Sequence, residues 1–158
     1  MVRILRRKTS DALVRKKMKN KKKAVVFDLD NTLVDLKDEE KHHKSRHEAF
    51  AKEAEEAPEI KKNVKKFKKD AKKENVVILT ARSEHYRPET EDWLGKHGLK
   101  PNKLVMRPGS DSTTPDATLK HKLLDKDISP QFKVKKAYDD KEKNVKMFKK
   151  HGIKAKKV

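Results

Sequence analysis

Apolar residues in this chain gather into short runs separated by lysine-rich stretches, the densest lying at 24–27, 76–79 and 104–106. Runs this short, set among polar residues, read as strands of a buried sheet. The spacing predicts five strands, over 24–28, 76–79, 103–106, 133–138 and 153–156. Between them the period changes. Ile60, Val64, Phe67 and Ala71 recur at steps of four, three and four, behind a proline at 58 that suits the first position of a helix. A further helix near 88–97 carries Trp93, Leu94 and His97 and stops at Gly98, a residue that favours the left-handed cap. After a Gly, Ser, Thr and Pro loop at 108–115, helices are predicted near 116–126 and 141–151, and a charged stretch at 36–57 fills the first inter-strand interval.

Strict alternation of strand and helix predicts an α/β fold, a three-layer sandwich with a mainly parallel sheet, in which ligands bind beyond the carboxyl ends of the strands. A chain of 158 residues accommodates one such domain. Residues 1–23 are basic, with apolar side chains too scattered to define a face, and are expected to form an N-terminal arm. The folded domain is assigned to 24–158.

Composition alters this picture in one respect. The formal net charge is +19, carried mostly by lysine, so the surface repels itself unless an anion lies against it. Nucleic acid is the expected partner; the plainer alternative is lysine that merely keeps the chain in solution. There is no cysteine, which removes disulfides and thiolate chemistry, and no apolar stretch approaches the ~20 residues of a membrane span. The cytoplasm is the expected compartment, and neither a membrane nor an obligatory protein partner is expected.

Each strand runs into particular polar groups: Asp28 and Asp30 after the first, Thr80 and Arg82 after the second, Asp139 and Asp140 after the fourth. Gathered in one crevice, four acidic side chains would repel strongly, and raised pKa values or a bound cation relieve that repulsion. Oxygen donors without histidine or cysteine suit Mg²⁺. The seven histidines, His42 and His43 among them, show no ligand spacing and are expected to face solvent.

VVFDLDNTLVD (25–35) resembles the DxDxT signature of the haloacid dehalogenase (HAD) superfamily, ILTAR (78–82) its second motif and AYDD (137–140) its fourth. The third motif requires a lysine, and Lys120 in DATLK is the choice, with Lys122 the neighbour that could displace it. The resemblance implies a HAD-like fold and a phosphatase. In it Asp28 is the nucleophile that forms an aspartyl phosphate, and Asp30 the general acid and base. Mg²⁺ is held by Asp28, the Asp30 carbonyl and Asp139 or Asp140. Thr32 steadies the loop, Thr80 bonds a phosphate oxygen and Lys120 balances its charge.

Neither inter-motif interval has room for a full cap domain, so the mouth should be open. RPETEDWL, LVMRPGSD, DATLK and the stretch through AYDD further resemble the phosphatase domain of phage polynucleotide kinase/phosphatase. That likeness implies a 3′-phosphatase of nucleic acid repair, with Arg82 gripping the substrate phosphate. Asp116 would orient Lys120 one helical turn away, although capping its own helix fits Asp116 equally. Two departures stand out: the flap offers only Lys37 as a basic residue, and Asn31 occupies a position where glycine is common. No GxxxxGK[ST] loop occurs, so kinase activity is not expected of this chain. The alternatives are a small-molecule phosphatase such as a nucleotidase and a basic nucleic-acid-binding protein with a vestigial site.

Overall fold

The computed structural model describes residues 21–36 and 54–158. The strands are β1 Lys22–Phe27, β2 Asn75–Ser83, β3 Lys103–Arg107, β4 Phe132–Asp139 and β5 Lys154–Lys157. The helices are α1 Lys61–Ala71, α2 Arg87–Lys96, α3 Asp116–Leu123 and α4 Glu142–Lys150. All five strands join one parallel sheet in the order β3-β2-β1-β4-β5. β1 is central, and its carboxyl end lies beside that of β4, where the strand order reverses and such sheets bind ligands.

The central strand shows why its sequence is almost continuously apolar. Val25 and Phe27 face a layer that holds Val64, Phe67, Trp93 and Leu94 of α1 and α2. Ala24 and Val26 face the opposite layer, with Leu119 and Leu123 of α3 and Met147 and Phe148 of α4. A strand covered on both faces needs apolar residues at every position.

The α1 stripe is only half used: Val64 and Phe67 are buried, Ile60 is half-buried and Ala71 is exposed. The helix also starts three residues past Pro58. The reason is non-local: Val34 forms a bridge to Glu59, and Asp35 N–H donates to the Pro58 carbonyl at 2.8 Å, which holds 58–60 extended. Gly98, at φ 69, takes the left-handed conformation that ends α2.

The single helix predicted over 116–126 is instead α3 followed by a π-helical turn, Leu124–Ile128, with Ser129 N–H donating to the Leu124 carbonyl at 2.8 Å. The wider turn keeps Leu124 and Ile128 fully buried. At the amino end β1 begins at Lys22, two residues before the expected boundary; the rest of the basic arm, 1–20, lies outside the described residues. So do Lys37, His42, His43 and most of the 36–57 stretch. Between β2 and α3 there is room only for a 3₁₀ turn, α2, β3 and a loop. Among the described residues no helix is long and apolar enough to cross a membrane.

Candidate active site

Asp28 follows β1, and its N–H donates to the Tyr138 carbonyl at 2.9 Å, tying it to β4. The chain then turns sharply through Asn31, whose φ of 61 lies in the left-handed region. Asparagine tolerates that conformation, which accounts for it at a position where glycine is common. The Asn31 side-chain oxygen accepts from Leu36 N–H at 3.1 Å and locks the turn. Thr32, wholly buried, donates its hydroxyl to Asp28 at 3.0 Å, and the Asn63 amide of α1 donates to the Thr32 carbonyl at 2.8 Å.

Lys120 reaches the same point from α3. Its Nζ donates to Asp28 at 2.7 Å and to Asp139 at 2.6 Å, and the side chain is 2% exposed. Lys122 is exposed. Helical geometry separates the two, since residues two apart point to different faces. Asp139 also accepts from both Asn144 Nδ2, at 3.1 Å to each oxygen, and Lys141 N–H at 3.0 Å. Asn144 is a site residue that sequence reasoning missed; its position five residues after Asp139, on the first turn of α4, was the available signal.

The electrostatics follow from burial. Desolvation, with the charge of Asp139 and a hydrogen bond to Asp140 behind it, raises the Asp28 carboxyl well above the usual range against the pull of Lys120. Burial raises Asp140 as well, against its hydrogen bond with Asp28. Burial alone would lower Lys120, but Asp28 and Asp139 overcome it and hold the ammonium above the ordinary lysine value. Asp28, Asp139 and Asp140 offer carboxylate oxygens within 4.8 Å of one another. Three carboxylates balanced by one lysine, with oxygen the only donor, fit a hard divalent cation such as Mg²⁺.

Asp30 is held apart from that trio. The Arg82 guanidinium pairs with both its oxygens and also donates to Thr90 Oγ1 at 2.9 Å, and Thr90 in turn donates to the Tyr86 carbonyl at 2.6 Å. Arg82, expected to grip phosphate, is paired with Asp30 in this structure. Its N–H donates to Thr80 Oγ1 at 3.0 Å, so β2 fixes both residues. The expected contact of Asp116 with Lys120 is replaced: its carboxylate accepts from Arg107 at 3.1 Å and Lys141 at 2.6 Å. Nor does its side chain cap α3, whose N-cap is Pro115. Although burial works to raise Asp116, the Lys141 contact brings it below the usual carboxylate value.

These groups line a cavity of about 240 Å³ at the carboxyl edge of the sheet, with Asp28, Thr80 and Lys120 in its wall and Asp30, Asp116 and Asp140 toward solvent. A lysine groove of about 500 Å³ lies beside it, between α1 and β5, lined by Lys62, Lys65, Lys66, Lys69, Lys156 and Lys157. It meets the site at the main chain, because Val158 N–H donates to the Asp139 carbonyl at 3.0 Å and Asn63 lines both groove and turn. Lys66 Nζ sits 4.4 Å above the Tyr138 ring. Burial, and then the charge of Lys156, push that ammonium below its ordinary value against the pull of Asp70.

A doubly covered parallel sheet whose central strand delivers a DxDxT turn to a buried lysine and a second aspartate pair is the arrangement of a HAD-type phosphatase. More narrowly, the chain belongs to the family of the polynucleotide kinase PNKP phosphatase domain, whose model matches residues 22–158. Two solved structures, of the Pnkp1/Rnl/Hen1 complex and of the Pnkp1/Rnl/Hen1 RNA repair complex, contain chains similar to this one at 25% identity. They align with TM-scores of 0.75 and 0.76 over 88% and 87% of this chain. The alignment covers only 46% and 42% of those longer chains. A Clostridium difficile protein, 14% identical over 86% of this chain and 84% of its own, shares the fold at a TM-score of 0.52. No curated protein matches.

Proposed function

We propose that this chain removes 3′ phosphate from polynucleotide ends, with Mg²⁺ and through an aspartyl phosphate on Asp28. The observation that carries the reading is a phosphatase cavity in the same domain as a lysine groove whose charges crowd one another, the two linked by the Val158 and Asn63 hydrogen bonds. A polyanion neutralises such a groove and releases condensed counterions, whereas a small phosphomonoester does not reach it. The RNA repair complex among the structural relatives makes RNA ends the first substrate to test.

Mg²⁺ bound by Asp28, Asp139 or Asp140 and the Asp30 carbonyl would offset negative charge between nucleophile and phosphate. An oxygen of Asp28, aimed by the Thr32 hydroxyl, attacks phosphorus as the bond to the 3′ oxygen breaks. Asp30, oriented by Arg82, gives that oxygen its proton. It then takes a proton from the water that attacks phosphorus, the bond to Asp28 breaks, and inorganic phosphate leaves. Thr80 and Lys120 hydrogen-bond the transferring oxygens, and Asn144 holds Asp139.

The test is phosphate release from 3′-phosphorylated and 5′-phosphorylated oligonucleotides, nucleoside monophosphates and phosphoserine, with Asp28→Asn as the blank. The 3′-phosphorylated oligonucleotide should have the highest kcat/KM. A higher value for a nucleoside monophosphate would replace this reading with the nucleotidase one, and no turnover of any substrate would leave a nucleic-acid-binding protein with a vestigial site.

A further inference from the structure

The geometry points to a second metal site, for a divalent transition ion of the zinc class, built from His121, Asp125 and His151 where α3 and its π-turn meet the end of α4. His121 lies on α3, Asp125 falls four residues later in the π-helical turn, and His151 is the residue that ends α4. Thirty residues separate the two histidines in sequence, which is why no ligand spacing was visible and both were expected merely to face solvent. Folding brings their imidazoles to 4.6 Å between centroids, with all three ligand atoms within 4.8 Å of one another.

Two observations distinguish this cluster from an ordinary surface ion pair. His151 Nδ1 lies 2.9 Å from the Met147 carbonyl, which can only accept, so Nδ1 carries the proton and Nε2 is the atom turned to Asp125. A backbone carbonyl on the far nitrogen is the usual support of a metal-bound histidine. The separations are the second observation. His121 Nε2 stands 3.3 Å from one Asp125 oxygen and His151 Nε2 3.4 Å from the other, longer than the roughly 2.7–2.9 Å of a charge-assisted hydrogen bond. Each is close to the ~3.3–3.4 Å edge of a tetrahedron with bonds of about 2.0–2.1 Å, and because the two rings face different oxygens of one carboxylate, an ion would draw both imidazoles in on Asp125 from either side. Asp125 also occupies a π-turn, a rare widening often found at functional sites.

Two imidazoles and a carboxylate, with the fourth position open to water, suit zinc, cobalt or nickel and disfavour Mg²⁺, which prefers oxygen. An ion here would tie α3, which delivers Lys120, to the end of α4, which delivers Asn144. The two sites are thereby distinguishable by ligand chemistry.

The test is titration of the tag-free full chain with Co²⁺ in saturating Mg²⁺, reading the visible absorption of four-coordinate cobalt. One equivalent should bind to wild type and to Asp28→Asn, and Zn²⁺ should displace it. Because outer-shell partners alone are worth roughly 10–100-fold in affinity, His121→Ala and His151→Ala should each weaken binding by at least about ten-fold. Both side chains lie at the surface, and circular dichroism checks that the variants fold; His121→Ala, on the more exposed ring, stands alone if His151→Ala does not. No cobalt absorption in wild type, or absorption undiminished in folded His121→Ala, would overturn the assignment.

Discussion

Lys120→Met removes the one positive charge inside the carboxylate cluster while keeping a side chain of similar length. The ammonium is 2.7 Å from Asp28 and 2.6 Å from Asp139, and those side chains are 7% and 1% exposed. Deleting one partner of a buried ion pair costs about 3–5 kcal/mol, because the remaining charge stays buried and uncompensated. At roughly 4 °C per kcal/mol for a domain of this size, the midpoint in chelator should fall by roughly 12–20 °C. The deficit should depend on pH. Without the ammonium, the burial and the neighbouring Asp139 charge that already raise the Asp28 carboxyl act unopposed, so the folded state binds its proton more tightly than the unfolded. Stability from such raised groups is present at low pH and lost as pH rises through the folded values, making the deficit larger near about pH 8 than near about pH 5. Mg²⁺ at about 100 times its Kd should restore ~2.7 kcal/mol. Thermal or urea unfolding in chelator and in Mg²⁺ measures all three effects. A deficit under about 1 kcal/mol at the higher pH, or one independent of pH, would refute the balance of one lysine against three carboxylates.

Asp28→Asn should abolish phosphate release and Asp30→Asn should reduce it severely, with both variants folded by circular dichroism; turnover by Asp28→Asn at a tenth of wild type would remove Asp28 as nucleophile. Activity should vanish in chelator, and because the cation binds the ionised form of a carboxyl that burial raises, the acid limb of the pH–rate profile should move to lower pH as Mg²⁺ increases. A limb that stays fixed across Mg²⁺ concentrations would separate Asp28 from the metal. The KM for a 3′-phosphorylated oligonucleotide should rise steeply with salt, and less steeply after Lys65→Glu and Lys69→Glu or after deletion of residues 1–20, while p-nitrophenyl phosphate is unaffected. Equal salt sensitivity for both substrates would favour the small-molecule reading.

The placement of the candidate site was legible where local sequence determines position. Apolar runs covered on both faces mark the strands, and the residues in or just past their carboxyl ends, Asp28, Thr80 and Asp139, have little freedom in where they emerge. Lys120 was legible only to within its neighbours, since a lysine-rich helix offers several candidates and burial against Asp28 chooses among them. Partnerships between distant segments were not legible. Arg82 turned to Asp30 and Thr90, Asp116 to Arg107 and Lys141, and the start of α1 slipped past Pro58 because Val34 pairs with Glu59. His121 and His151 belong to the same class, being unremarkable until two helices place them side by side.

A surplus of +19 does not neutralise the acidic site at its centre, and the reason is range. At physiological ionic strength charges separated by more than about 8 Å in solvent are largely screened, and Lys120 is the cation that acts on Asp28 most strongly. Lys120, within 3 Å and out of water, contributes most. Two fields therefore coexist: a diffuse positive one that a polyanion senses at a distance, and a local negative one that a small hard cation senses at contact. Salt weakens the first, which acts through solvent, far more than the second, which acts through buried contacts. Under the proposed function, the domain would thus attract a strand of phosphates by its surface and still confine a cation beside the single phosphate it hydrolyses.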